Sequence, residues 1–161
     1  MPSDHTIFVN STKAILLERL AFSSSLPVGV WQNRGTRPDV LVLQEPSFGR
    51  AQVEGKRNFQ GFYTQAYMVE CKIDSEDLKK SAYQLLLAVV EFSGLGMLDL
   101  NHGGLRPSLA IPTTLRDSMQ REGSFDRAVS VYRELNFGLF IVDLDSQDFE
   151  WVLPPGSFMA R

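Results

Sequence analysis

The chain has 161 residues, of which 43% are hydrophobic, and its formal net charge is −3 at pH 7 with an isoelectric point near 5.4. This length is typical of one domain, and this composition supplies enough apolar surface for a core. The absence of a basic excess disfavours general nucleic-acid binding. A single cysteine, Cys71, excludes an intramolecular disulfide framework and multi-cysteine metal sites. With no signal-like start and no apolar run of about 18 residues, we expect a protein made in a cytoplasm, without a membrane partner.

The first part of the chain predicts a helix, a hairpin and an arm. Ser11 and Thr12 can cap a helix over residues 12–22, and Ile7-Phe8-Val9 fits either its first turn or a short extended segment before it. Short apolar runs at 28–32 and 39–44 flank a turn-forming segment and indicate strand, turn, strand. The polar stretch 45–58 contains Pro and Gly and predicts a protruding loop or hairpin arm.

The middle of the chain predicts a long strand followed by a helix. Over 59–73 one parity is apolar and includes Tyr67, Val69 and Cys71, whereas the other carries Met68, Glu70 and Lys72 and indicates a wetter face. The acidic residues that follow, Asp74 to Asp77, favour a helix start, and Gly94 favours its end. The apolar stripe predicted for this helix is Leu78, Ala82, Leu85, Leu86, Val89 and Phe92.

The last part of the chain predicts loops, one strand and a tail. Glycine and proline break up residues 95–124, so we expect loops with one short strand at 108–111. Alternating apolar residues over 125–143 predict a second long strand, which Arg133 interrupts with a bulge or an edge position. Residues 145–161 carry Trp151 and Phe158 and predict an apolar tail that packs on its own subunit or on a neighbour.

These elements predict an α+β fold: an antiparallel or mixed sheet with two long strands, packed against two main helices, with a protruding loop or hairpin arm. The expected division is a single domain over residues 1–144 and the C-terminal tail over 145–161.

One motif has a catalytic pattern. Pro38-Asp39 followed by Glu54-Gly55-Lys56 matches the skeleton of the Pro-Asp…Glu-x-Lys nucleases, in which two carboxylates hold a divalent cation and the lysine helps to activate water or to stabilise the phosphate. In those nucleases the second carboxylate and the lysine lie on a core strand, whereas 51–58 is polar with a central glycine. The acidic isoelectric point also suits DNA poorly. A turn aspartate and a charged loop are therefore the preferred interpretation, and a metal-dependent nuclease using Asp39, Glu54 and Lys56 is the alternative function.

Other chemical patterns favour structural roles. His5 and His102 lie far apart without a ligand pattern, so solvent or loop positions are favoured over metal binding. His102-Gly103-Gly104 is similar to an esterase oxyanion loop, but the chain has no Gly-x-Ser-x-Gly motif. Cys71 is expected to be a small core residue rather than a nucleophile. The sequence predicts no cofactor, no metal and no catalytic residue.

The order helix, hairpin with protruding loop, long strand, helix, loop, long strand resembles the tail-terminator (tail-completion) proteins of long-tailed bacteriophages. The resemblance covers about residues 10–143 and depends on the strand 61–73 that runs into the capped helix at Asp74, and on a closing strand at 127–137. It implies a structural virion protein at the tail and neck that is not an enzyme. Such a protein forms a ring, expected to be hexameric, that caps the tail tube and joins the tail to the head connector.

The resemblance also implies a set of partners. These are further copies of the chain, the tail tube protein, the head-tail connector proteins and, for a contractile tail, the sheath protein. DNA would pass through the ring without specific binding. Ring formation requires an interface that closes under rotation, and large aromatic residues concentrate binding energy. The candidate subunit or partner contacts are Arg50, Lys56, Arg57, Arg133, Trp151 and Phe158.

Overall fold

The computed structural model describes residues 1–19, 24–25, 38–44, 65–75, 78–95 and 105–156. Within these residues the chain forms four helices and six strands. In chain order they are α1 Asp4–Arg19, β1 Ser24–Ser25, β2 Val40–Gln44, β3 Gln65–Cys71, α2 Leu78–Leu95, β4 Leu105–Pro112, α3 Thr113–Glu122, α4 Phe125–Glu134, β5 Gly138–Asp143 and β6 Asp148–Leu153.

The six strands form one mixed sheet in the order β1-β2-β3-β4-β5-β6. The pairs β3–β4 and β4–β5 are parallel, and the other three pairs are antiparallel. Parallel neighbours need crossover connections. Helix α2 lies in the crossover from β3 to β4, and α3 and α4 lie in the crossover from β4 to β5. The predicted α+β fold with a mixed sheet is confirmed.

Apolar side chains cover both faces of this sheet. One core packs α1 against the sheet and contains Phe8, Ile15, Leu16, Val40, Val69, Cys71, Ala110, Phe140 and Val142. The other core packs the remaining helices against the opposite face and contains Leu85, Leu109, Ile111, Leu115, Met119, Tyr132, Phe137, Leu139 and Ile141. Strands between two helical layers are buried on both faces. The predicted wetter face of β3 is therefore wrong, because Met68 and Glu70 are buried as completely as Val69.

Helix α1 begins at Asp4, eight residues before the predicted start. Ser3 caps it, since its Oγ accepts a hydrogen bond from the Thr6 main-chain N–H at 3.2 Å. The buried positions Phe8, Thr12 and Ile15 follow helical spacing across the expected boundary. Thr12 therefore faces the core instead of capping the helix.

The second long strand predicted over 125–143 is wrong, because its first half is helix α4. Phe125, Ala128, Val129 and Tyr132 recur at i, i+3, i+4 and i+7, and these residues pack against the core that contains Met119. Val131, which the strand pattern counted as apolar and inward, is 46% exposed. Arg133 lies exposed in the last turn of this helix, so it interrupts no strand.

The segment 95–124 contains more regular structure than predicted. The short strand at 108–111 is the centre of β4, and α3 follows it directly. Gly123 ends α3 with φ 74°, and its N–H donates to the Gln120 carbonyl at 3.2 Å. The helix signal was weak because most of α3 is polar and only Leu115 and Met119 are buried.

The predicted tail forms β6, which pairs antiparallel with β5 on its own subunit. The helix predicted after β3 is confirmed as α2, although Leu86 of its stripe is 45% exposed and Ser81 and Ala88 are buried in its place. In the part of the chain that the structure describes, no helix combines the length and apolarity needed to cross a membrane. The predicted strand at 28–32 and the arm at 45–58 lie outside the described residues.

Candidate active site

Three elements bring titratable side chains together at one edge of the sheet. Strand β3 ends in Glu70 and Cys71, with Lys72 directly after it. Strand β2 runs antiparallel to β3 with Val40 opposite Val69, so Asp39, one residue before β2, lies opposite Glu70. His5 lies in the first turn of α1. This is the edge at the carboxyl ends of the parallel strands, where open α/β sheets bind ligands.

The carboxylate of Asp39 is held by the main chain of β3. The Cys71 N–H donates a hydrogen bond to Asp39 Oδ2 at 2.8 Å. The Asp39 side chain keeps 24% of its surface exposed. A fixed carboxylate that still reaches solvent can bind a cation that enters from outside.

The carboxyl of Glu70 is the most buried of the group, since its side chain is only 4% exposed. Burial raises the pKa of Glu70 from its ordinary value of 4.5 to about 8. Within that value the negative charge of Asp39 acts in the same direction as burial, whereas the Lys72 ammonium acts against it. The Glu70 carboxyl thus keeps its proton near neutral pH, as a buried acid beside a second carboxyl does.

Lys72 completes the charge pattern at this edge. Its Nζ lies 4.0 Å from Glu70 Oε2, and its side chain is 12% exposed. Its main-chain N–H donates to the Ala110 carbonyl at 3.1 Å, which fixes the residue to β4. The site therefore contains one buried ammonium group beside two carboxyls.

His5 adds an imidazole to the same edge. Its Nε2 lies 2.9 Å from the Cys71 carbonyl oxygen and 3.5 Å from Asp39 Oδ2. His5 lies in a helix rather than in a loop, because α1 begins at Asp4 and carries this side chain to the sheet. The ring is still 42% exposed, so solvent reaches it.

The structure brings only part of the predicted nuclease motif together. Asp39 lies in the site, but Glu54 and Lys56 lie outside the described residues, and Glu70 and Lys72 supply a Glu-x-Lys pattern instead. Among the other named candidates, Arg50, Arg57, His102 and Phe158 also lie outside the described residues.

Trp151, predicted as a subunit or partner contact, is half-buried within its own subunit. Its ring lies 4.9 Å from that of Phe140 and 5.5 Å from that of Phe149, both edge to face. These contacts make it part of the α1-side core.

The sequence contained the signal for Glu70 and Lys72. Glu70-Cys71-Lys72 is a Glu-x-Lys motif that begins 31 residues after Asp39. It lies on an apolar strand, as the nuclease pattern requires. The alternation of β3 predicts one buried face and one solvent-facing face, and it places Glu70 on the solvent-facing one. Met68 shares that face with Glu70, and an apolar neighbour there favours a buried carboxyl.

Side chains alone do not complete a metal site in the described residues: no three His, Cys, Asp or Glu side chains there already surround a common point. The available donors are the carboxylates of Asp39 and Glu70 and the main-chain oxygen of Cys71, with the His5 nitrogen beside them. Hard divalent cations such as Mg²⁺ and Mn²⁺ prefer such oxygen donors. The donor chemistry therefore fits a hard divalent cation once the Glu70 carboxyl loses its proton.

A groove of about 330 Å³ opens beside this edge, between the start of α1 and the ends of β3, β4 and β5. It is lined by Asp4, Ile7, Phe8, Ile73, Pro112, Thr114 and Leu144. Two of these, Asp4 and Ile7, flank His5 in the first turns of α1. A larger apolar groove of about 650 Å³ lies between α2 and the α3–α4 pair, and the side chains of His5, Asp39, Glu70 and Lys72 line neither groove.

Comparisons with known proteins give one distant likeness. No protein-family model matches the chain, and no curated protein matches it. Among solved structures, the chain is similar to the crystal structure of an XisH family protein from Nostoc punctiforme, with 13% sequence identity and a TM-score of 0.45. That match covers 90% of this chain and 98% of the other. We therefore base the function on the residues of this chain alone.

Proposed function

We propose that the chain is a metal-dependent nuclease of the Pro-Asp…Glu-x-Lys type, with Asp39 and Glu70 as cation ligands and Lys72 beside the reacting phosphate. The observation that carries the proposal is the convergence of these three side chains at one sheet edge. Asp39 lies opposite Glu70 across the β2–β3 pair, and Lys72 Nζ lies 4.0 Å from Glu70 Oε2.

The carboxyl pair supports a cation role. A buried carboxyl beside a second one lowers the stability of the fold, because two ionised carboxylates repel each other and Glu70 is poorly solvated. Two uncharged side chains of similar size at positions 39 and 70 would stabilise the fold better than two carboxyls. A divalent cation offsets both negative charges at once, so binding would convert a costly arrangement into a favourable one.

The roles of the residues follow from their positions. Asp39, held by the Cys71 N–H, and the buried Glu70 would hold the cation, and the Cys71 carbonyl oxygen is the third oxygen donor. When bound, a divalent cation supplies positive charge beside the scissile phosphate and helps water to lose a proton. Lys72 is positioned to donate a hydrogen bond to the attacking water or to a phosphate oxygen, and a group in this role contributes roughly 10²- to 10⁴-fold in rate.

The acidic net charge does not oppose a phosphodiester substrate at this site. Formal net charge is a property of the whole surface, whereas the local balance here is one ammonium beside two carboxyls, of which the buried Glu70 has a raised pKa. A bound divalent cation makes the net charge of the site positive. The proposed substrate class is a phosphodiester, and the cation attracts its negatively charged phosphate although the protein surface as a whole is acidic.

The proposal is tested by cleavage of plasmid and single-stranded DNA and of RNA, with Mg²⁺ or Mn²⁺ and with EDTA as the blank. We expect cation-dependent cleavage that falls at least about 100-fold in Asp39→Asn, Glu70→Gln and Lys72→Met. Asp145→Asn and Glu134→Gln are matched controls, because both positions are exposed. Equal cleavage by all five variants would identify a contaminating enzyme, and no cleavage of any substrate by the folded wild type would reject the proposal.

The tail-terminator interpretation stays a prediction. The closing strand at 127–137 that carried the resemblance is helix α4 and the turn after it. Native mass spectrometry addresses the interpretation directly, because a closed ring has a mass several times 18.1 kDa. A ring that cleaves no nucleic acid would favour the structural role, whereas a monomer or dimer would count against it.

A further inference from the structure

We infer that Arg106 forms a binding site for an oxyanion, such as a phosphate or a carboxylate group, at the start of β4. The inference is independent of the proposed function. Arg106 pairs with Tyr67 in the register of β3 and β4, whereas Ala110 pairs with Cys71 of the candidate active site. The two places are thus four residues apart along β4, or about 13 Å at the usual rise of a strand.

The guanidinium group of Arg106 has no negatively charged partner among the described residues. None of the ion pairs in that part of the chain includes it. The residue is only partly exposed, and its Nε is buried without a hydrogen-bond partner. A buried charge lowers the stability of a fold unless an opposite charge and hydrogen bonds compensate for it. An anion that accepts a hydrogen bond from Nε would supply both.

The orientation of the guanidinium group suits such an anion. Nη1 of Arg106 donates a hydrogen bond to the Pro155 carbonyl oxygen at 3.1 Å, which fixes the plane of the group. Nε and Nη2 form a separate edge with two parallel N–H groups, and this edge matches two oxygens of a carboxylate or a phosphate. Nε lies on that edge and lacks an acceptor. The contact with Pro155 therefore holds Arg106 while its two-donor edge remains for a ligand.

A second unpartnered donor lies on the same strand. Ser108 is two residues further along β4, so its side chain projects from the same face as that of Arg106. It is fully buried, and its Oγ has no hydrogen-bond partner. Both side chains lie near Pro155, because a Cβ on Gly138 would be 2.6 Å from Ser108 Oγ and 2.9 Å from Pro155 Cβ. Nearly all buried polar atoms in proteins have partners. An oxyanion bound to Arg106 would give this hydroxyl an acceptor.

Two aromatic side chains near Arg106 respond to its charge. Burial raises the pKa of the Tyr67 phenol, and the positive charge of Arg106 acts against this shift. The Tyr67 ring lies 6.3 Å from the ring of Trp151. An anion that neutralises Arg106 changes the electric field at both rings. Trp151 fluorescence therefore provides a direct measure of binding.

The test is a titration of the full-length protein with inorganic phosphate and with acetate at constant ionic strength, followed by fluorescence and by calorimetry. Trp31→Phe is the background, because the chain has two tryptophans. We expect saturable binding, and Arg106→Gln should weaken it at least about tenfold, because it removes a hydrogen bond from a charged group. Arg106→Lys keeps the charge without the two-donor edge and should also bind more weakly. Arg121→Gln is the matched control, since Arg121 is exposed on α3, and its affinity should equal that of the wild type.

Ser108→Ala provides a second test if the Arg106 variants fail to fold, which urea unfolding detects. It removes only the unpartnered hydroxyl, so the stability without anion should not fall, whereas the affinity for the anion should fall about tenfold. Unchanged affinity would overturn the role of this hydroxyl.

The choice of anion identifies the ligand class. Binding of phosphate without acetate would assign a phosphoryl group, and binding of both would assign oxyanions in general. The inference is overturned if the folded wild type binds neither anion saturably, or if Arg106→Gln binds as tightly as the wild type. Either result leaves the nuclease proposal intact, because the nuclease residues lie elsewhere in the sheet.

Discussion

The buried carboxyl of Glu70 should make the stability of the protein fall as the pH rises. The folded protein holds the Glu70 proton up to a pH of about 8, whereas the unfolded chain loses it near 4.5. Between these values folding takes up a proton, so each pH unit lowers the free energy of unfolding by about 1.4 kcal/mol. The stabilisation is complete below pH 4.5 and is lost as the pH passes 8.

Glu70→Gln tests this reasoning because the amide keeps the size of the side chain and cannot ionise. Between pH 5 and pH 8.5 the wild type should lose on the order of 4 kcal/mol relative to this variant. The assay is urea unfolding at both pH values in EDTA, with the midpoint and slope fitted together. Ionisation of the Cys71 thiol in the unfolded chain affects both proteins equally and cancels in the difference.

Glu134→Gln is the matched control for this experiment. Glu134 is exposed on α4, so its replacement should shift the stability by a constant amount at both pH values. The reasoning is refuted if the difference between the wild type and Glu70→Gln changes by less than about 1 kcal/mol between pH 5 and pH 8.5.

Four further predictions concern the cation and the packing. Mn²⁺ at a hundredfold excess over its dissociation constant should raise the free energy of unfolding by about 2.7 kcal/mol, and Asp39→Asn should abolish the gain in a thermal-shift assay. Trp151→Ala should cost about 3 to 5 kcal/mol, because the ring packs edge to face on Phe140; an unchanged urea midpoint would show that the contact is not structural. Tyr132→Phe should cost about 1 kcal/mol by removing the buried hydrogen bond to Ser81, again measured by urea unfolding. Gly138→Ala should cost about 1 to 3 kcal/mol in the same assay, since a Cβ there would lie 2.6 Å from the Ser108 hydroxyl oxygen.

The sequence predicts secondary structure correctly where the local pattern fits only a helix or only a strand. Acidic residues precede the helix after β3, which has an apolar stripe and a glycine near its end, and the structure has α2 there. Alternation identified β3 for the same reason. It could not identify which face was buried, because a strand between two helical layers is covered on both sides, and that depends on crossovers far along the chain.

The wrong predictions concern residues whose apolar spacing fits both a strand and a helix. In the segment from Phe125 to Tyr132, apolar positions satisfy both a spacing of two and a spacing of three and four, and the alternation that continues to Ile141 favours the strand. The second carboxylate of the site is also distant in sequence. The sequence pattern pairs Pro38-Asp39 with a carboxylate in the nearby charged loop, whereas antiparallel pairing of β2 and β3 places Asp39 opposite Glu70.

Cys71 belongs to both the hydrophobic core and the candidate active site. Its amide anchors Asp39, its carbonyl meets His5, and its side chain is fully enclosed beneath α1. An alkylating reagent can reach the thiol only when this part of the molecule unfolds locally, so the labelling rate of the native protein measures how often the contacts of Cys71 with Asp39 and His5 break. Cations that bind at the site should slow that rate. Labelling of Cys71 therefore reports on the folded state of the site without a substrate.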